Sequence, residues 1–449
     1  PREGKIRFRA LEEGSIIVLQ YRFDSGPQAF LALHMAELWS FHAIGWATRW
    51  SEWSLWLNAE EVVHEQGRGD YQRNEELHGE LKRVTWTMNE VAPLIAEPGS
   101  PPLIELLNHV MVSTVPDWPT FMRWEAALLA GAFRSDPKIE ALAKTLAQAA
   151  SDPQGRIAEI HDYVMNEIRY EQDYENTIAG VKPHAAPVVL ERRYGDCKDK
   201  AVLFITLARH MDIEAHFAIL RTRPQGPVYR QVPYQQFDHA IVYIPAQEGI
   251  KEARFYDPTA DALDLDVLRQ DNAGATALVY DPTSNTHSWI PIPFQSAEAH
   301  QATFDLSFEL DKKGSAQGVL TLSGRGSMGS KLRKAARNKA KFEKWIQGLV
   351  GVLAPGALVD TISALEIKDL RKNALIRATF RVPELVQFKG KEGHIELPWT
   401  RLYRVSPSYK LAQRRFDLVR GVPEKVHLNV RYTLPRGTKV ITTPSAEVV

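Results

Sequence analysis

The chain of 449 residues contains one cysteine, Cys197. A single thiol cannot close an intramolecular disulfide, so no cystine framework holds the fold. A Cys-rich tetrahedral zinc site is excluded for the same reason. The count leaves the compartment open, because exported chains can avoid cysteine and cytosolic ones can keep one reactive thiol. Charge imbalance is also missing. Lys+Arg and Asp+Glu number 55 each, giving a formal net charge of zero, which removes the broad electrostatic ground for a nucleic-acid partner. No apolar run approaches the roughly 18 residues that span a bilayer, and no export signal is visible. There is no phosphate-binding P-loop, no dinucleotide fingerprint and no HExxH pair. The first residue is Pro1 and residues 6–21 already read as strand, so the natural start is expected to lie upstream.

What the chain does have is material for several cores, with 44% apolar and 24% charged residues. Its length suggests two to four domains. Three regions are expected. Residues 1–137 are β-rich, with strand patterns at 14–23, 44–62 and 81–94 and a closing helix at 117–133. Residues 138–297 mix helix and strand. Helical periods run through 136–149 and 152–170, where Ile157, Ile160, Val164 and Ile168 share a face, and short apolar strands lie at 239–244 and 253–258. Residues 298–449 return to strands at 303–310, 316–324, 374–382 and 425–434, interrupted by one helix near 328–350. That order suggests a β-sandwich-like module with an inserted helix.

The lone cysteine stands in "RRYGDCKDKAVLFITLARHM" (192–211). Asp196 is a good N-cap and Asp199 follows three residues later, as in a capping box with Asp in place of Glu. Cys197 is then the first residue of a helix whose broad apolar face (Ala201, Leu203, Phe204, Leu207, Ala208) predicts burial. A sulfur there faces unpaired backbone N–H groups and the positive end of the helix dipole, which favours thiolate. A thiolate nucleophile needs a base, and the base needs an orienting acceptor. His239 begins the strand "HAIVYI" and Asp257 closes the next, "ARFYDP". His184, His210 and His216 compete for the base. The third role has two contenders, since "YDPT" occurs at 256–259 and again at 280–283. Asp257 lies 18 residues from His239 and Asp281 lies 42 away. Eighteen residues fit a strand, a turn and an adjacent antiparallel strand, so Asp257 is favoured and Asp281 reads as a turn residue. The bland alternative is an inert buried cysteine.

The segments "YGDCKDKAVLFITLARHMDIEAHFAILRTR" (194–223), "FDHAIVYI" (237–244) and "FYDPTA" (255–260) resemble the core of the transglutaminase-like superfamily. The upstream and downstream patterns are similar to a bacterial branch in which a β-domain precedes the core and another follows it. The resemblance implies an α+β multidomain fold: a papain/transglutaminase-like core flanked by two β-rich, sandwich-like domains. It also implies Cys197 as nucleophile, His239 as base and Asp257 as orienter, with no cofactor and no metal. It implies export to the periplasm or cell surface, and domains cut at both ends of the chain. Two departures stand out. Asp238 precedes the histidine where Asn is frequent, and residues 171–178 lack expected glycines.

The implied activity is cysteine-dependent acyl transfer on peptide or protein amides, with hydrolysis favoured over transamidation and the Cys197 backbone N–H as one oxyanion donor. The rival is a non-catalytic peptide- or envelope-binding protein on the same core. Neither reading calls for nucleic acid or a membrane-spanning segment in this chain, and the oligomeric state is open. Five tryptophans crowd 39–56: Trp39, Trp46, Trp50, Trp53 and Trp56. Packing in a core or interface is favoured over an exposed aromatic platform. The basic stretch "KLRKAARNKAKFEKW" (331–345) reads as an amphipathic helix with a solvated basic face rather than a lipid anchor.

Overall fold

A computed structural model describes residues 12–20, 22, 34–172, 180–398 and 411–443. The N-terminal region packs two three-stranded antiparallel sheets. In one, Leu81–Val91 is central between Thr48–Asn58 and Gln72–His78; in the other, His109–Ser113 is central between Ala36–Ser40 and His64–Arg68. Phe41, Val84, Trp86, Val110 and Val112 fill the space between them. Residues 14–20 form no strand but run irregularly with apolar side chains exposed; alternation there finds no partner strand among the described residues. Trp39 stacks on Trp53 and Trp53 on Trp86. The packing expectation holds for those two of the five tryptophans and fails for the others. Trp46, Trp50 and Trp56 are 76%, 58% and 55% exposed.

Three helices lead into the middle region, each started by an aspartate followed by a proline in the first turn. Asp117, Asp136 and Asp152 accept backbone N–H groups of Thr120, Ile139 and Gly155 and open Trp118–Leu129, Pro137–Gln148 and Pro153–Glu167. The last helix is shorter than its periodicity suggests. Ile168 turns extended and Arg169–Tyr170 instead pairs in parallel with Tyr194–Gly195. Ile157, Ile160, Val164 and Ile168 are buried together as expected.

The middle sheet is five-stranded and antiparallel, in the order Arg254–Tyr256, His239–Ile244, His216–Leu220, Thr276–Asp281, Thr286–Pro291. It is buried on both faces. Phe217, Ile219, Ala240, Val242 and Ile244 pack against the helices, including Cys197–Arg209. Ala218, Leu220, Ile241, Ala277 and Val279 pack against Leu268, Ala275 and Ile292 on the other side. This explains why the strand at 239–244 is apolar throughout instead of alternating.

The C-terminal region is a second five-stranded sheet, with Gln301–Leu310 parallel to Lys425–Thr433 and antiparallel pairs elsewhere. Its apolar face is covered by two helices, Ser327–Ala336 and Lys339–Leu353, through Leu332, Phe342, Ile346 and Val350. One helix was expected. Asn338 leaves the helical conformation and its side chain caps the second helix at Lys341. Most of the basic stretch is solvated, but Arg333 is buried against Asp264 of the middle region at 3.1 Å. No helix among the described residues is long and apolar enough to cross a membrane.

Candidate active site

The cysteine helix begins as its sequence suggests. Asp196 is the N-cap, and its own N–H donates to Asp199 Oδ2 at 3.3 Å, closing the capping box. Gly195 is required by space: a Cβ there would lie 2.6 Å from Asp199 Cβ. Asp196 also pairs with buried Lys198. From Lys198 to Ala208 every residue of the helix is buried, whereas Cys197 at its tip is partly exposed. The sulfur therefore sits on a rigid element at the edge of solvent.

His239, buried at the start of its strand, contacts both neighbours. Its Nε2 lies 2.9 Å from Asp257 Oδ2, and the Cys197 side chain is a further hydrogen-bond partner of the ring. With Nε2 engaged by the carboxylate, Nδ1 is the nitrogen left for the sulfur. Burial alone would lower the ring's pKa. The charge and hydrogen bond of Asp257, with a smaller contribution from Cys197, raise it to about 10. Asp257 is fully buried, and burial would push its carboxyl up. The His239 charge and hydrogen bond, Arg269 and Thr259 together hold it well below the usual carboxylate range.

Several partners of Asp257 carry no sequence signal. Asn272 Nδ2 donates to Oδ2 at 2.7 Å and Arg269 Nε lies 3.8 Å away. Thr259 donates its N–H and hydroxyl to Oδ1 at 2.9 and 2.6 Å; that turn was foreshadowed by Asp-Pro-Thr. Behind the carboxylate, buried His161 hydrogen-bonds the Asp257 backbone, and burial lowers its pKa to about 4. Lys200 donates to the Ile168 carbonyl at 2.9 Å, and burial lowers its pKa to about 8. Tyr170, half-exposed, faces the charges of Cys197 and Asp196. Burial first, then those charges, raise its pKa to about 12, so the hydroxyl stays protonated.

The competing residues lie elsewhere. His184 is bound to Asp199 through its backbone N–H, at 2.7 Å, and its ring. His210 bonds Ser135 at the far end of the cysteine helix. His216 and Asp281 occupy the other end of the middle sheet. His239 pairs with Leu220 while His216 pairs with Tyr243, a separation of about 13 Å at roughly 3.3 Å per residue. Asp281 holds Thr283 N at 2.8 Å within a turn. Asp238 is exposed and accepts from Thr222 N and Oγ1 at 2.7 and 2.6 Å, away from the imidazole. Of the segment 171–178, residues 173–178 lie outside the described residues. Glu214, His216 and Asp281 gather metal-type donor atoms within 4.8 Å of one another; they are remote from Cys197, with His216 hydrogen-bonded to Glu214 at 2.8 Å and 3.6 Å from Asp281.

Comparison with known proteins matches the region that holds this geometry. Residues 140–292 match the model of the transglutaminase-like superfamily. No curated protein gave a significant match. A candidate protease from Parabacteroides distasonis is similar at 13% identity over 80% of this chain and 70% of its own, with a TM-score of 0.49. A candidate cysteine protease from Cytophaga hutchinsonii (16% identity, 50% and 71% covered, TM-score 0.23) and the periplasmic domain of TgpA from Pseudomonas aeruginosa (16%, 50% and 75%, TM-score 0.20) are also similar. The α+β middle of this chain, built around the Cys197 helix and the His239 sheet, is the part that matches the transglutaminase-like superfamily model, and β-rich regions lie on either side of it.

Proposed function

We propose that the protein is a cysteine-dependent acyl-transfer enzyme acting on peptide or protein amides, with hydrolysis favoured over transamidation. The observation that carries this reading is the double engagement of His239, by Asp257 through Nε2 and by Cys197. In the proposed cycle His239 takes the thiol proton of Cys197, and the sulfur is the nucleophile. It attacks the amide carbonyl, and the tetrahedral oxyanion collects the Cys197 backbone N–H at the helix tip. The Tyr170 hydroxyl, kept protonated by burial and by the charges of Cys197 and Asp196, is the candidate for a second donor. The C–N bond then breaks, the departing amine takes the proton from His239, and a thioester remains on Cys197. Neutral His239 next removes a proton from water, which attacks the thioester and releases the carboxylic acid. Asp257 keeps the ring in one tautomer and orientation throughout.

The reading takes the chain as three domains, 1–137, 138–297 and 298–449, exported to the periplasm or cell surface as the family resemblance implies. Its test is capture of acyl donors from a peptide-amide library by intact-mass spectrometry. Wild type should form a thioester adduct that turns over, and Cys197→Ala should form none. Undiminished turnover in that variant would overturn the assignment. Adding a primary amine separates the two fates: incorporation of the amine into product in preference to hydrolysis would reverse the favoured order.

A further inference from the structure

Beside the active site lies a cavity of about 830 Å³ between the N-terminal region, the middle sheet and residues 419–421. Arg420 lines it, as do three arginines of the middle region, Arg221, Arg223 and Arg230. Among the described residues none of the three pairs with a carboxylate. Each lies over an aromatic ring instead. Arg221 covers Tyr229 at 5.5 Å, Arg223 covers Phe294 at 4.9 Å and Arg230 covers Trp289 at 3.8 Å. Stacking fixes a guanidinium plane and leaves N–H edges free for an oxyanion. Backbone carbonyls take some of those donors, Gln225 O from Arg221 and Gly421 O and Arg420 O from Arg223. Among the described residues no side-chain hydrogen bond holds Arg230. Two acids share the lining, Glu105 and Asp271, and Asp271 is already committed to Arg269 at 3.0 Å. Burial lowers the pKa of Arg221, against the opposing charges of Tyr229 and Asp238, and that of Arg230, the direction expected of cations held partly out of water.

The cavity adjoins the active site through two short connections. Arg223 N donates to Asp271 O at 2.9 Å, and the next residue, Asn272, holds Asp257. Thr222 is tied to Asp238, the neighbour of His239. The walls are mixed, with Pro224, Val228 and Phe294 interleaved with the guanidiniums. A bare inorganic anion has no use for the apolar half, whereas a peptide bearing carboxylates uses both.

We infer that this cavity is a subsite for an acidic segment of a peptide substrate, seated on Arg221, Arg223 and Arg230. The inference deepens the proposed function and rests on it for the word substrate. Binding, however, is measurable without turnover. The test uses the full chain carrying Cys197→Ala and fluorescence anisotropy with a labelled Glu-rich peptide, its Gln counterpart and, as competitor, inorganic phosphate. The Glu peptide should bind at least ten-fold more tightly than the Gln peptide. Arg230→Met should remove most of that difference, and Arg221→Met should do the same, with far-UV circular dichroism unchanged in at least one of them. Equal binding of the two peptides would overturn the inference, as would a Glu preference that survives both substitutions. Displacement of the Glu peptide by low phosphate, with no dependence on peptide sequence, would also overturn it and mark a small-oxyanion site. Because the assay omits the nucleophile, a failed enzyme assignment and a failed subsite give separate results.

Discussion

The middle sheet carries the same four letters, Tyr-Asp-Pro-Thr, at two places, each with a histidine within reach. At one end Asp257 meets His239; at the other Asp281 meets His216, with Oδ1 to Nε2 at 3.6 Å. The first aspartate is buried and receives hydrogen bonds from Thr259, Asn272 and His239. The second is partly buried, its side chain 22% exposed, and holds its own turn. Sequence identity over four residues thus yields two electrostatic settings. The setting comes from what the rest of the chain brings: a helix tip with a sulfur and the loop with Asn272 at one end, and the 281–284 turn with Glu214 at the other.

The largest effect that would sharpen this contrast is at the nucleophile. Cys197→Ala should reduce turnover to background while shifting urea stability by no more than about 1 kcal/mol, as befits a partly exposed helix start. Asp257→Asn should follow with a loss in kcat of about 10⁴-fold, the scale seen when a triad imidazole is left in the wrong tautomer. Asp281→Asn should stay within two-fold of wild type by about the same assay. Equal losses at the two aspartates would break the comparison.

Smaller is the effect of Asn272→Ala. It removes one buried donor from Asp257 and should destabilise the fold by about 1–3 kcal/mol while leaving some turnover. The pH dependence of stability should show the same polarity. His239 has a raised pKa in the folded chain, so its stabilisation is complete below about 6.5 and is lost progressively as pH rises towards about 10. Asp257 is depressed, so its share is present above the usual carboxylate pKa and lost in acid as pH falls through its folded value. Urea midpoints measured from pH 6 to 10 should decline less steeply in Asp257→Asn than in wild type. Asp281→Asn should leave that alkaline slope unchanged.

Local chemistry made half of the site legible. A capping box is written within four residues, so the helix start at Cys197 followed from Asp196 and Asp199 alone. The distance from His239 to Asp257 fits one hairpin, and Val242 indeed pairs with Tyr256. Asn272, Arg269 and Tyr170 were not legible. They arrive by a loop and by a two-residue strand, and no periodicity marks either. The same limit explains the tryptophans: alternation along Thr48–Asn58 puts Trp53 on the inner face and Trp50 and Trp56 outside, yet nothing local says which face is covered. The break at Asn338 is a capping signal that helical periodicity masked.

The buried pairing of Asp264 with Arg333 bears on how far the catalytic core can be moved between proteins. Asp264 also accepts Gly326 N at 2.6 Å, and Arg333 also reaches Ala262 O at 3.1 Å. The segment so clamped runs between Thr259 and Arg269, two partners of Asp257. Excising residues 138–297 would take both of these clamps away from the 262–264 segment. The strain would fall on the loop that braces Asp257. A graft of this core into another scaffold therefore has to carry the 326–333 turn and helix with it, which makes the C-terminal sheet part of the transferable unit and not an optional attachment.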